Sequence, residues 1–408
     1  SPQAISGEEL VVVGYGVQER ASVTGSVANV QARDLERVPA TTASAALAGK
    51  LPGLSFKQAD GRPGGSANIQ IRNMGTPLFV IDGIQKDQGQ FNNLAPGDIE
   101  SITILKDASA AVYGSRAANG VIVVTTKQGN RGQAPTININ SYYGWKNWTR
   151  FPRGVNAYEW MSGLAEAEMN QFGNTNVTPE ELSLWKEGTQ QGYRSFDWYD
   201  FMIDPAPMSS VNVNVSGGSD RTNYYLSVNR LDETAVFGDE FEFNRTNIQS
   251  NINTSITDAL TVGAQINGRI ESRENPGVPG IDDYWQPRFA LFRNAPTERP
   301  YANDNPDYPA DISNIETNWA LLNYDRTGWL DDTWKVLQLN FNAEYELPIP
   351  GLAGRGMASY YIADNVWDNH EYRYDAFTYY ADEDEYVRTG GNDNPYRGRE
   401  QVKITENV

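Results

Sequence analysis

Apolar and polar residues alternate along much of the chain after residue 130, as they do in β-strands whose two faces differ. The clearest case is the segment Ser210–Ser216, where valine occupies every second position between asparagine and serine. A period of two predicts a strand. The same criterion predicts six further long strands: 136–150, 223–233, 242–256, 260–273, 333–347 and 357–372. Strands of about 13–15 residues are rare in soluble β-sandwiches, whose strands are mostly about 5–6 residues long, so the pattern favours a transmembrane β-barrel.

The connections between these strands alternate in length. Thr257 and Asp258 form a short turn, whereas residues 275–332 form a long connection rich in Asn, Asp, Pro and aromatic residues. Outer-membrane barrels have short turns on one side and long extracellular loops on the other. Residues 131–408 are therefore predicted to contain strands of such a barrel.

Residues 21–130 have a different pattern, with short apolar segments separated by glycine-containing turns. It predicts strands at 22–30, 54–58, 68–72, 77–82, 99–105 and 121–126, and short helices at 41–49 and 108–113. Asp107 is a suitable N-cap for the second helix. The fold prediction is therefore mainly β: a small α+β domain at 21–130, preceded by a flexible leader at 1–20 and followed by the long antiparallel strands.

Composition excludes several functional classes. The chain has 33 Lys+Arg and 52 Asp+Glu, so its formal net charge is 33 − 52 = −19, which disfavours binding to nucleic acid. Without cysteine, thiol catalysis and cysteine-based zinc sites are excluded. His370 is the single histidine, which argues against a Ser-His-Asp triad. No enzyme, cofactor or metal site is predicted, except that the acidic run 382–385 could hold Ca²⁺ on an extracellular loop. A solvated loop is the favoured alternative for that run.

Five segments of the first 130 residues resemble the plug of SusC-type TonB-dependent transporters. They are 10–16 (LVVVGYG), 22–27 (SVTGSV), 46–56 (ALAGKLPGLSF), 77–83 (PLFVIDG) and 98–127 (DIESITILKDASAAVYGSRAANGVIVVTTK). The resemblance implies a 22-stranded barrel around an internal plug, in the outer membrane of a Gram-negative bacterium and in contact with its lipid. It also implies import of an oligosaccharide or peptide nutrient, driven by TonB with ExbB–ExbD, and a SusD-type surface lipoprotein as a lid. Two such SusCD pairs are expected to form a dimer.

The chain departs from the family pattern in three respects. Asn73 stands where the family usually has glycine, and the stretch between Arg72 and Pro77 is shorter than usual. The family's periplasmic N-terminal extension is not seen before the leader. About eight strands are recognisable after residue 130, whereas 22 are needed to close the barrel, so we expect the chain to be the N-terminal part of a polypeptide at least twice as long.

The short segment Leu10, Val11, Val12, Val13 and Gly14 resembles a TonB box. Such a box must be an extended strand that can add to the edge of a partner's sheet. The alternative is that these residues form the first strand of the plug and are packed there permanently.

Charged residues concentrate in the plug segments. Arg72, Asp82, Lys106, Asp107 and Arg116, with Asp98 and Glu100 beside them, are candidates for ion pairs that fasten the plug to the barrel wall. The alternative is a solvated domain surface with helix caps such as Asp107.

Aromatic residues in the long connection are candidates for contact with substrate, because aromatic faces stack on sugar rings and anchor peptides. They are Tyr284, Trp285, Trp319 and Trp329. Packing within the loops or at the lipid interface is the alternative. The segment 61–65 is interpreted as a plain turn rather than a phosphate-binding loop. A second function is also left open, in which the chain is a structural subunit of an outer-membrane assembly without transport.

Overall fold

The structure is a computed structural model. It describes residues 10–13, 16–19, 27–36, 40–58, 61–106, 108–277, 284–313, 318, 323–349, 351–372, 374–390 and 401–407. Among these residues, no helix is long and apolar enough to span a membrane.

Two short strands lie before the plug domain. Leu10–Val13 (β1) pairs antiparallel with Gly16–Glu19 (β2), and Val12 lies opposite Val17. An isolated two-stranded hairpin is marginally stable in water. The pairing therefore leaves β1 easy to separate from β2.

The plug domain is a small α+β unit, as predicted. Its strands are β3 (Val27–Gln31), β4 (Leu54–Gln58), β5 (Ala67–Ile71), β6 (Leu78–Ile81), β7 (Ile84–Lys86), β8 (Ile99–Leu105) and β9 (Val121–Thr126). Its α-helices are α1 (Ala32–Glu36), α2 (Ala43–Ala46) and α3 (Gln88–Asn92), and Pro96–Asp98, Ala108–Tyr113 and Ser115–Ala117 form 3-10 helices. Five strands form one sheet in the order β3-β8-β9-β6-β7, in which only β6 and β9 are parallel to each other, and β4 and β5 form a separate hairpin.

Both faces of the five-stranded sheet are covered, which explains the uninterrupted apolar runs LFVI in β6 and VIVV in β9. On one face Phe79 stacks on Phe91, with ring centroids 4.9 Å apart, beside Ile102 and Ile104. The other face is covered by the 3-10 helices that follow β8, with Tyr113 in the buried cluster. The predicted strands 54–58, 99–105 and 121–126 are confirmed to the residue. The predicted helix at 108–113 is a 3-10 helix, and its expected cap Asp107 lies outside the described residues.

The remaining strands are longer. They are β10 (Thr136–Lys146), β11 (Ala206–Gly218), β12 (Thr222–Ala235), β13 (Gly238–Ser255), β14 (Leu260–Pro276), β15 (Gly328–Glu346), β16 (Ala353–Glu371), β17 (Ala376–Tyr380), β18 (Glu385–Gly390) and β19 (Gln401–Asn407). Eight of them form one antiparallel sheet in the order β10-β11-β12-β13-β14-β15-β16-β19, which we call the wall sheet. The predicted hairpins β13–β14 and β15–β16 are confirmed, and the prediction of long antiparallel strands after a plug domain is correct.

The wall sheet turns its polar face towards the plug domain and its apolar face outwards. In β11, Val211 and Val213 are exposed, whereas Asn212 and Asn214 are buried. One row of asparagines crosses four adjacent strands in register: Asn140, Asn212, Asn229 and Asn247. This inverts the arrangement of a soluble sheet and matches a wall that faces lipid on the outside.

The long connections contain helices that the strand pattern did not predict. They are α4 (Ala157–Phe172), α5 (Pro179–Glu187), α6 (Trp198–Met202), α7 (Trp285–Arg293) and α8 (Tyr324–Thr327). The sequence carried local signals for two of them. Asn156 and Glu159 form a capping box before α4, and Thr178 caps α5 ahead of Pro179.

Candidate functional site: the interface between plug domain and wall sheet

Asp98 joins the plug domain to the wall sheet. It ends the 3-10 helix Pro96–Asp98, and only 1% of its surface is exposed. Its Oδ1 accepts a hydrogen bond from the Tyr225 hydroxyl at 2.9 Å and from Asn212 Nδ2 at 3.4 Å. Burial raises the pKa of Asp98, and the hydrogen bonds from the wall oppose that rise. The side chain is thus a buried carboxyl group held by neutral donors of the wall.

Asparagine side chains of the wall hold the backbone of the plug domain. Asn247 Nδ2 donates to the Asn93 carbonyl at 2.8 Å. Asn251 Nδ2 donates to the Lys127 carbonyl at 2.7 Å and to Thr126 Oγ1 at 2.9 Å. Neutral hydrogen bonds of this kind contribute about 1 kcal/mol each. Many such bonds hold a domain firmly, yet each can be broken singly.

The turn at residues 61–65 also contacts the wall. Gly64 N donates to Glu233 Oε2 at 2.7 Å, and the same carboxylate accepts from the Lys146 ammonium. Gly64 has φ +66°, and a Cβ there would lie 2.5 Å from the Phe243 ring. Glycine is therefore required by both the backbone conformation and the close approach. The segment is a turn, as predicted, but its contact with the wall had no signal in the sequence.

The charged residues that were predicted to fasten the plug to the barrel wall make their described contacts inside the plug domain. Asp82 accepts from Thr126 N at 2.9 Å and from Thr126 Oγ1 at 2.6 Å. The Lys106 ammonium donates to the Pro52 carbonyl, and Arg116 Nη1 donates to Gln85 Oε1 at 3.0 Å. Arg72 is exposed with a left-handed backbone, φ 51°, at the end of β5, and Asp107 lies outside the described residues. A latching role for these charges stays a prediction.

The predicted TonB box lies in the β1–β2 hairpin. Residues 10–13 form β1, with one edge paired to β2, while Gly14 is not among the described residues. The extended conformation suits a segment that adds to a partner's sheet. TonB binding itself stays a prediction.

The predicted substrate aromatics do not share one environment. Tyr284 is 3% exposed, and its ring packs edge-on against Phe237 at 5.2 Å and lies 5.2 Å from the Arg62 guanidinium of the plug domain. Trp285 begins α7, but its side chain is not described, and Trp319 lies outside the described residues.

Trp329 was predicted to lie in the long loop. It lies instead in β15. Its ring centroid lies 4.6 Å from that of His370 and 5.8 Å from that of Tyr372. The strand begins earlier than predicted because these aromatic partners lie on β16 and just after it. Contact of any of the four aromatics with substrate stays a prediction.

The acidic run 382–385 lies in the turn after β17 and ends at Glu385, the first residue of β18. Asp384 accepts from the Tyr379 hydroxyl at 2.8 Å. Within the described ranges no group of three or more acidic or histidine side chains is arranged to hold a metal ion. The Ca²⁺ hypothesis stays a prediction.

A small cavity of about 70 Å³ remains between the two units. Its lining includes Asp98 and Lys86 from the plug domain and Gln249 and Tyr361 from the wall. Burial lowers the pKa of Lys86 to about 8, and its Nζ lies 5.6 Å from the Tyr361 ring centroid. A cavity of this size and polarity has room for water.

The plug region matches a known protein family. The TonB-dependent Receptor Plug Domain family matches residues 19–121. TonB-dependent receptor SusC of Bacteroides thetaiotaomicron is 36% identical over 245 residues, which cover 56% of this chain and 23% of SusC. TonB-dependent receptor P26 of Formosa agariphila is 31% identical over 278 residues, which cover 66% of this chain and 27% of P26.

The fold is similar to that of the RagAB peptide importer in its "open-open" state. The TM-score is 0.73 at 23% identity, and the match covers 89% of this chain and 43% of the solved chain. The chain therefore spans about a quarter of the length of the two curated relatives and less than half of the solved one. These similarities identify residues 19–121 as a TonB-dependent receptor plug domain, and over a longer part of the chain the sequence is similar to SusC-type TonB-dependent receptors.

Proposed function

We propose that the protein to which this chain belongs imports a nutrient across the outer membrane in a TonB-dependent manner. The observation that carries the proposal is the way the plug domain is held. Asparagine side chains of the wall donate to plug carbonyls, as Asn247 and Asn251 do, and the buried carboxyl group of Asp98 accepts from the wall. A plug held by many modest bonds can block the barrel at rest and still be remodelled by force.

In the proposed mechanism, a SusD-type lipoprotein lid captures the substrate at the extracellular mouth. TonB, energised by ExbB–ExbD, then binds β1 and pulls on it from the periplasm. The force reaches the plug domain through the leader, and the plug–wall hydrogen bonds break one after another rather than together. Breaking a neutral hydrogen bond costs about 1 kcal/mol. Breaking a hydrogen bond to the Asp98 carboxyl costs about 1.5–3 kcal/mol when that group is ionised.

The substrate is proposed to be an oligosaccharide or a peptide. The structurally similar RagAB is named as a peptide importer, which supports the second class. Of the residues proposed to contact substrate, Trp329 is partly exposed, whereas Tyr284 is buried. The Trp329 ring lies beside His370 on neighbouring β16. The dimer of SusCD pairs and a Ca²⁺ ion at 382–385 remain part of the proposal.

The alternative is a structural subunit without transport. The pairing of β1 with β2 favours this alternative, because a strand already paired on one edge has less to offer a partner. The two functions differ in whether the plug must move.

A reversible plug–wall disulfide tests the proposal directly. A Cβ on Gly97 would lie 3.3 Å from Cγ of Asn212, and the chain has no native cysteine. In the full-length protein, the pair Gly97→Cys and Asn212→Cys is expected to abolish TonB-dependent uptake when oxidised and to regain it after reduction. The single-cysteine variants are the controls. If the disulfide is shown to form and the rate of uptake does not change on oxidation, plug movement is refuted as the transport step.

A further inference from the structure

Arg245 is a buried cation at the plug–wall interface. It lies in β13 and is 1% exposed. Among the described residues it is the largest side chain that is fully buried. Its Nη2 donates to the carbonyl of Thr41 in the plug domain. Its Nε and Nη1 have no hydrogen-bond partner within the described part of the chain. A buried guanidinium is costly unless its charge and its N–H groups find partners.

The charges around Arg245 do not balance. Lys146 pairs with Glu233, and Arg269 Nε lies 3.5 Å from Glu271 Oε2. Glu271 is also the residue opposite Arg245 across β13 and β14, but its ion pair within the described part of the chain is with Arg269. Each of the two carboxylates is thus paired with another cation, and among these five side chains the positive charge of Arg245 is left in excess.

A cavity of about 270 Å³ adjoins Arg245. The wall contributes Tyr142, Ser210 and Asn229 to its lining, and the plug domain contributes Thr41 and Gly97. Hydroxyl, amide and backbone groups thus surround a space of several water volumes, at about 30 Å³ per water. The carboxylates Glu233 and Glu271 are not part of this lining.

We propose that this cavity binds a small monovalent anion, a halide or a carboxylate group, beside Arg245. Water could satisfy the hydrogen-bonding groups of the lining, but it would leave the excess charge buried without compensation. An anion supplies both the charge and the acceptor that a guanidinium requires. Because Arg245 also holds Thr41, the anion strengthens a contact between plug and wall. The anion site does not depend on whether the protein transports a nutrient.

The direct test uses bromide as the probe on the full-length protein. Crystals grown or soaked in sodium bromide are expected to show an anomalous peak in the cavity, within hydrogen-bonding distance of the Arg245 guanidinium. The site needs no mutation to be detected, so the test does not depend on the folding of a variant. An empty or water-filled cavity at bromide concentrations that label other sites would overturn the proposal.

Thermal unfolding in detergent gives the solution test. Bromide is expected to raise the Tm of the wild-type protein in a concentration-dependent manner, relative to a bulky sulfonate salt at equal ionic strength. Arg245→Met should lose this increment. Arg230→Met is the matched control, because Arg230 is exposed in β12 and pairs with Asp232. An equal bromide increment in both variants would refute binding at Arg245.

The same assay distinguishes two sources of the anion. Displacement of bromide by a short peptide with a free C-terminal carboxylate, but not by its amide, would assign the site to a passing solute. If neither displaces bromide, the site belongs to a free ion of the medium. Both results support the anion site, and they differ only in its occupant.

Discussion

The hydroxyl of Tyr225 on the wall sheet lies 2.9 Å from Oδ1 of Asp98 on the plug domain, and both residues are almost completely buried. Residues that are 127 positions apart in the chain thus meet through one hydrogen bond. The donor is neutral and the acceptor is a carboxyl group whose pKa is raised by burial. The strength of this plug–wall contact therefore depends on both hydrogen bonding and pH.

Tyr225→Phe is expected to loosen the plug domain. The substitution keeps the ring but removes the Tyr225 hydroxyl as a donor to the buried Asp98, at a cost of about 1.5–3 kcal/mol if the carboxyl is ionised. Amide hydrogen exchange in residues 99–105, measured by mass spectrometry, should become about ten- to a hundredfold faster where exchange occurs through plug opening. Tyr360→Phe is the control, because Tyr360 is exposed on β16. Unchanged exchange in Tyr225→Phe would mean that this contact does not hold the plug.

Stability should rise at mildly acidic pH because of Asp98. Its pKa in the folded protein is raised above the ordinary 3.8, so the folded state holds the proton more tightly than the unfolded state. The stabilisation is full below the unfolded pKa and is lost as pH rises through the folded pKa. Asp98→Asn should therefore show a smaller gain in Tm than the wild-type protein when the pH is lowered from 7.5 towards the ordinary pKa of an aspartate.

Part of the pH dependence should survive in Asp98→Asn, since burial also raises the pKa of Asp82. All other titrating groups are common to both proteins, and the difference between them isolates Asp98. Identical pH profiles for the two proteins would contradict the role of Asp98.

Plug retention should depend more on Asn251 than on Arg116. Asn251→Leu is similar in shape and removes two donors to the plug domain, whereas Arg116→Ala removes an exposed bond to Gln85 inside it. Leakage of a large antibiotic through the full-length protein in cells should rise in Asn251→Leu and stay near the wild-type level in Arg116→Ala. Greater leakage in Arg116→Ala than in Asn251→Leu would support the prediction from the sequence that exposed charges fasten the plug.

Val12→Pro should abolish uptake without loss of barrel assembly. Proline removes a backbone donor that an added strand of TonB requires. Gln18→Pro is the matched control, because Gln18 pairs with Val11 from the β2 side and lies outside the proposed box. Uptake is measured in cells with assembly checked by heat-modifiable migration. Full uptake in Val12→Pro would exclude this segment as the TonB box, and equal loss in both variants would indicate a structural hairpin.

Local chemistry made much of the fold predictable. The strand at 99–105 was correct to the residue because its isoleucine-rich segment is bounded by Asp98 and Lys106. The alternation around Val211 and Asn212 predicted a strand with two unlike faces, and both faces are found. Helix α4 does not follow from a pattern of period two, and its local signal is the capping box at Asn156.

The sequence alone determined the plug region, the long strands and their inverted polarity, since propensity, period and turn residues act over a few neighbouring positions. Tertiary structure alone decided which groups fasten the plug. The charges Lys106 and Arg116 looked suitable, yet their described contacts stay within the plug domain, while neutral Asn247, Asn251 and Tyr225 reach across. Nothing local marks an asparagine in a strand as a plug contact, because its partner is set by strand register and by the placement of one domain against another, both of which arise from contacts more than a hundred residues apart.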